Sequence, residues 1–208
     1  MDPRPESGEK KPWYKNVWVI ATLSSMATIT MLRPCTRYVP EPPAATGTLP
    51  AWSLATADGK PFGSVDLAGS VYVLGLYAEH GGEASDAVLR ALGQLQDRYT
   101  KAQSPVKVVA ARVGDGPLAD LVRAATAMRA ERPRWTFVGG GDAAAIGKSF
   151  DALHGEVHPA PWEHGVAIVD GDGACRGFYG TSDDGIDETF HRSLRVVDEL
   201  NQKKRQSK

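Results

Sequence analysis

Two apolar patterns alternate through the second two-thirds of the chain. Residues 71–76 (Val-Tyr-Val-Leu-Gly-Leu), 106–113 and 135–138 are short, nearly continuous apolar runs. Runs of that length without polar alternation mark strands of a sheet covered on both faces. Between the first two, Val88, Leu92, Leu95 and Tyr99 recur at spacings of four, three and four, one stripe of an amphipathic helix. A second helix opens near Pro117, with proline in its first turn, and is expected to bury Leu118, Leu121, Val122 and Ala125. A short helix is predicted over 142–153. Two further strands, 165–169 and 174–179, are joined by the turn Asp170-Gly171-Asp172-Gly173. A closing helix presents Ile186, Phe190, Leu194 and Val197 on one face. Ahead of all these, Asp58-Gly59 sits between two short strand-like segments, a strong hairpin signal.

The order is strand, helix, strand, helix, then a hairpin and a final helix. It predicts an α/β domain with a thioredoxin-like fold and an added N-terminal β-hairpin. Such folds place reactive cysteines where the first main strand passes into its helix, because the helix N-terminus lowers a thiol's pKa. Here that joint reads Tyr77-Ala78-Glu79-His80-Gly81-Gly82-Glu83-Ala84 and holds no cysteine.

The N-terminal region has a different character. Residues 17–32 carry no charge between Lys15 and Arg33, and as a helix would span about 24 Å against a hydrocarbon core of about 30 Å. Trp13, Tyr14 and Trp18 can extend the run as an interfacial belt, and its Ser and Thr hydroxyls can bond back to helix carbonyls. No small-residue cleavage site follows, so an uncleaved transmembrane signal-anchor over 17–33 is expected rather than a removed signal peptide. Arg4, Lys10, Lys11 and Lys15 precede the span, whereas Arg33 and Arg37 follow it. That asymmetry keeps 1–16 cytoplasmic and exports the rest, to the periplasm if the cell is bacterial. Residues 34–49, rich in proline, form a spacer. The folded domain is expected over 50–202, with a basic tail at 203–208.

Composition narrows the chemistry. The 208 residues are 42% hydrophobic and 24% charged, as in a globular domain. A net charge of -1 offers no field to attract nucleic acid. The two cysteines, Cys35 and Cys175, have neither C-x-x-C nor zinc-ligand spacing. Cys175 falls inside a predicted strand, where a small buried hydrophobe is expected. The stretch Gly139 to Ser149 imitates a phosphate-binding loop, but Asp142 stands where the pattern requires its first glycine. A helix start capped by Asp142 is expected there instead.

Several segments resemble the Sco/SenC proteins, membrane-anchored copper chaperones for cytochrome c oxidase. The likeness runs through the anchor and proline-rich spacer, Leu54-Ala-Thr-Ala-Asp-Gly-Lys-Pro-Phe62, Asp66-Leu-Ala-Gly69, Val113-Gly-Asp-Gly-Pro117, Trp135-Thr-Phe-Val-Gly-Gly140 and His164-Gly-Val-Ala-Ile-Val-Asp-Gly-Asp-Gly173. The resemblance implies a copper site of two cysteines in a C-x-x-x-C loop and one distant histidine. The histidine corresponds to His164, while His80 and Ala84 occupy the cysteine positions. Thiolates select Cu(I) and permit disulfide exchange, so the expected member is degenerate, with no thiol chemistry and not an enzyme.

His80 and His164 are therefore the candidate metal ligands, with His154, His158, Glu156 and Glu163 nearby in sequence. Imidazoles with a carboxylate suit Cu(II) or Zn(II); the competing reading is that these are ordinary surface-loop histidines. The functional expectation is a role in cytochrome c oxidase assembly or copper delivery, with an oxidase subunit or another respiratory-complex protein as partner. The alternatives are a structural or interaction subunit of such a complex, and a thiol-dependent redoxin, which the cysteine-free loop opposes.

Overall fold

The computed structural model describes residues 17–36, 41–78, 82–130, 134–140, 143–154 and 165–206. They fall into two units, Met1–Val39 and Pro40–Lys208. The first contains helix α1, Val17–Thr36. Val17, Trp18, Ile20, Leu23 and Met26 are exposed, and the Thr22 and Thr28 hydroxyls donate to the Trp18 and Ser24 carbonyls at 2.9 and 2.8 Å. Among the described residues, no helix is long and apolar enough to cross a membrane. Within α1, hydroxyl residues such as Thr22, Ser24, Ser25 and Thr28 dilute the apolar content.

The second unit is built on one eight-stranded sheet in the order β1-β8-β7-β4-β5-β6-β2-β3. Its strands are β1 (Gly47–Thr48), β2 (Ser53–Thr56), β3 (Pro61–Gly63), β4 (Tyr72–Ala78), β5 (Lys107–Val113), β6 (Trp135–Gly139), β7 (Gly165–Val169) and β8 (Ala174–Gly180). The central β4, β5 and β6 are parallel, and β7 runs antiparallel to β4. The predicted hairpin exists as β2 and β3 around Gly59 at φ 73°, and β2 attaches antiparallel to β6.

Strand alternation sends side chains to two cores. Val73 and Tyr77 of β4 join the layer under helices α2 (Glu83–Lys101), α3 (Leu118–Ala127) and α5 (Asp183–Gln206). Tyr72, Leu74 and Leu76 point the other way, to Ile146 and Phe150 of α4 (Ala143–His154) and to Trp52, Leu54 and Leu67. At Gly75 a Cβ would lie 2.7 Å from Val88 and 2.9 Å from Leu92. The missing side chain is what lets α2 sit this close to the sheet.

Three expectations need correction. The spacer does not run to residue 49: Gly47 and Thr48 pair with Cys175 and Ala174 of β8, and Leu49 is buried. Backbone pairing, which composition does not reveal, draws this stretch into the sheet. In α3 Leu121 is fully buried and Leu118 and Ala125 pack against the core partly buried, as expected, but Val122 is 47% exposed, because α3 lies near the sheet margin and its inward stripe is narrow. In α5 the buried set is Ile186, Thr189, Ser193, Val196 and Val197. Ile186 and Val197 are buried as expected and Phe190 packs against the core, but the face also takes in Thr189 and Ser193, whose polar groups are satisfied inside. Ser193 Oγ and Tyr99 Oη share a hydrogen bond of 2.7 Å, and Thr189 donates to the Gly185 carbonyl.

Candidate functional site

Ligand sites in open α/β sheets gather at the carboxyl ends of the strands, and the joint between β4 and α2 lies there. The Ala78 N–H donates to Ser85 Oγ at 2.9 Å, tying the last residue of β4 to the first turn of α2. Gly82 caps that helix with no side-chain cap bond, and Glu83 and Asp86 supply first-turn acids. Carboxylates thus face the positive helix end that would otherwise depress a thiol's pKa.

The register of the parallel strands creates the second part of the site. Tyr77 pairs with Arg112, and Arg112 with Gly139, so the three lie in one row across the sheet. Arg112 is 2% exposed. Its Nη1 donates to the Pro117 carbonyl at 3.0 Å and its Nη2 to the Gly116 carbonyl. Asp120 Oδ2 lies 4.0 Å from Nη1, while Oδ1 of the same carboxylate pairs with the exposed Arg123. A Cβ on Gly139 would come 3.3 Å from Arg112 Nε, so glycine there leaves the guanidinium its space.

A cavity of about 200 Å³ opens beside this row, lined by Tyr77, Ser85, Asp86, Leu89, Arg112 and Asp120 among others. Burial pushes the Tyr77 hydroxyl up to about 12, opposed by the nearby Arg112 charge. It remains a neutral hydroxyl at physiological pH. Sequence reasoning missed Arg112 because it sits inside an otherwise apolar run. A charged residue at an interior position of a buried strand was the available signal.

The predicted ligands His80 and His164 lie outside the described residues, as do His158, Glu156, Glu163 and the proposed cap Asp142. Helix α4 does begin next to it, at Ala143. Among the described residues no group of three His, Cys, Asp or Glu side chains could hold a metal. Antiparallel β4 and β7 pair Gly75 with Val166, so the chain leaves β4 at the end of the sheet where it enters β7. Cys175 is fully buried on β8, opposite Gly47, its Sγ 3.8 Å from the Gly177 carbonyl. Burial pushes its thiol up from the ordinary value, which disfavours the nucleophilic thiolate.

No family model and no curated protein matches the sequence. Solved structures do match. A SCO1/SenC family lipoprotein from Bacillus anthracis superposes with a TM-score of 0.61 at 17% identity, over 73% of this chain and 96% of its own. BsSco, a member of the Sco family of cytochrome c oxidase assembly proteins, gives 0.61 at 14% identity, over 76% and 96%. ScoI of Arabidopsis thaliana, solved with copper bound, gives 0.55 at 15% identity, over 73% and 99%. The chain is thus an α/β protein of thioredoxin-like fold. Within that class, its fold is of the Sco/SenC-like kind.

Proposed function

We propose that this chain is a membrane-tethered accessory factor for cytochrome c oxidase assembly or copper handling, acting by protein contact without thiol chemistry. The observation that supports the reading is a Sco/SenC-like fold whose strand-to-helix joint carries no cysteine. In this reading residues 17–33, extended by the aromatic residues Trp13 and Tyr14 ahead of them, tether the chain once to the inner membrane, and the folded unit works in the periplasm beside a respiratory-complex subunit. It is in this reading a binding protein rather than an enzyme, since the strand-to-helix joint carries no cysteine and the buried Cys175 thiol is poorly ionised. The test is removal of the chain from its native cell. Cytochrome c oxidase activity in isolated membranes is expected to fall severalfold, with upstream dehydrogenase activity unchanged. Recovery on adding copper to the medium identifies copper handling. Failure to recover, with stoichiometric co-purification in detergent, identifies a structural subunit. Unchanged oxidase activity refutes the reading.

Copper, as cargo, would meet His80 and His164, the donors left where thiolates are absent. Imidazole pairs suit Cu(II) and must be neutral to bind. Binding is expected to fade as pH falls through about 6.5. Calorimetric titration with Cu(II) should show a weaker isotherm in His164→Ala and His80→Ala than in the parent. Three identical isotherms would leave a binding module with no metal chemistry.

A further inference from the structure

We propose that the basic end of the folded unit, at the amino ends of the parallel strands, docks on an anionic phospholipid surface. The inference rests on the membrane-tethered reading and adds an orientation to it. Helix α2 starts after β4 and ends before β5, so it runs back from the carboxyl ends of those strands to their amino ends. Helix α5 runs the same way: it starts just after Gly180, which pairs with Gly165, and its Lys204 Nζ donates to the Gly69 carbonyl, ahead of β4, at 3.1 Å. Each helix begins in acid and ends in base. Glu83 and Asp86 oppose Lys101 in α2, and Asp183 and Asp184 oppose Lys203, Lys204 and Arg205 in α5. Such charges complement helix dipoles, but Lys107 joins the basic end from the first residue of β5, outside any helix, with its Nζ 3.4 Å from the Asp66 carbonyl.

The basic groups are presented to solvent: Lys101 and residues 201–206 are all exposed. Of the carboxylates near the end of α5, Glu199 faces Arg176 and Lys203, and Asp198 faces Arg195. The unit therefore carries opposite charge at its two ends although the whole chain has a net charge of only -1. A charged surface orients such a molecule even where net charge draws it little. The point where the chain enters the folded unit selects that surface. Arg176 Nη1 donates to the Pro43 carbonyl at 3.0 Å and also holds Glu199, whose other partner is Lys203 at 2.9 Å. The segment arriving from the N-terminal side thus meets the unit beside the basic last turns of α5. In the tethered reading this end is delivered to the bilayer, where each Lys or Arg brought to an anionic leaflet favours the docked state by about fivefold. The acidic end, with the β4–α2 joint, is turned from the lipid and left open to a protein partner.

The experiment places the full-length chain in nanodiscs of phosphatidylcholine, or of phosphatidylcholine and phosphatidylglycerol in equal parts. Surface amines are acetylated briefly, and the rate at each lysine is read by mass spectrometry against the rate in neutral detergent. In the anionic discs Lys101, Lys203 and Lys204 are expected to slow by about fivefold or more. Lys60, in the β2–β3 turn, and Lys148, on α4, are also exposed and should keep their rates. The protection should vanish in about 1 M salt, where the screening length is about 3 Å. In Lys204→Glu with Arg205→Glu, which leaves Lys203 its bond to Glu199, Lys101 should return to within about twofold of its rate in neutral discs. No slowing in either disc would overturn the docking and leave the tether standing, since the chain is still in the disc. Equal slowing in both discs would overturn the anionic lipid as occupant and point to a second copy of the chain. Entry into anionic discs alone, with the same lysines protected, would refute the tether and keep the docking. Entry into neither disc would overturn both.

Discussion

Raising the pH from 10 to 12 is expected to unfold the second unit cooperatively. Burial pushes the hydroxyls of Tyr72, Tyr77 and Tyr179 up to about 12, and that of Tyr99 in the same direction. All four are less than a tenth exposed. Above pH 10 the unfolded chain releases these protons while the folded chain keeps them, so the unfolded state binds fewer protons and stability falls with pH. The stabilisation is complete below pH 10 and is lost on the way to pH 12. A shift of about two units corresponds to about 2.7 kcal/mol for each tyrosine, or roughly 8 kcal/mol for three. That rivals the whole stability of a typical domain, about 5–15 kcal/mol. Absorbance at 295 nm and far-UV circular dichroism, followed together, should change in one coincident transition for these tyrosines. Ionisation near pH 10 with the dichroism unchanged would show that the hydroxyls reach water in the folded state.

The same four tyrosines mark what was legible in the sequence. Tyr72, Tyr77 and Tyr179 fall in or beside apolar runs, and Tyr99 on a clean helical stripe, so their elements could be read from periodicity alone. The same rule fell short on α5. Its buried face includes Thr189 and Ser193, whose hydroxyls are satisfied by Gly185 and Tyr99 and look like surface residues in sequence. It failed also on β1, two residues long and held by backbone bonds to β8, because no side-chain pattern records such a pairing. The cysteine-free joint was legible, since it is a statement about residue identity. The row Tyr77-Arg112-Gly139 was not. Its members stand far apart in the chain, and only the register of three parallel strands makes them neighbours.

Replacing Arg176 with methionine is expected to cost about 3 kcal/mol, the low end for breaking a buried ion pair. Arg176 lies on β8 with its side chain 10% exposed, facing Asp170 at 6% and Glu199 at 26%. Nε donates to Asp170 Oδ2 at 2.7 Å, and the two terminal nitrogens donate to Glu199 at 3.0 and 3.2 Å. Nη1 also donates to the Pro43 carbonyl at 3.0 Å. One guanidinium therefore joins the β7–β8 turn, helix α5 and the segment arriving from the N-terminal side. The loss sits at the low end because the carboxylates left behind are not wholly stranded. Asp170 Oδ1 still accepts from the Asp172 and Ala174 N–H groups, and Glu199 keeps Lys203 at 2.9 Å. Glu199→Gln should cost less than about 1 kcal/mol, as for a partly exposed pair. In urea the Arg176→Met midpoint should drop by about 1–2 M. Residues 41–46 should become open to proteolysis before the sheet does, since they lose their link through Pro43 while β8 keeps its ladder with β7. A loss below about 1 kcal/mol for Arg176→Met, with 41–46 still protected, would place the attachment of this segment in β1 pairing and the burial of Leu49 instead.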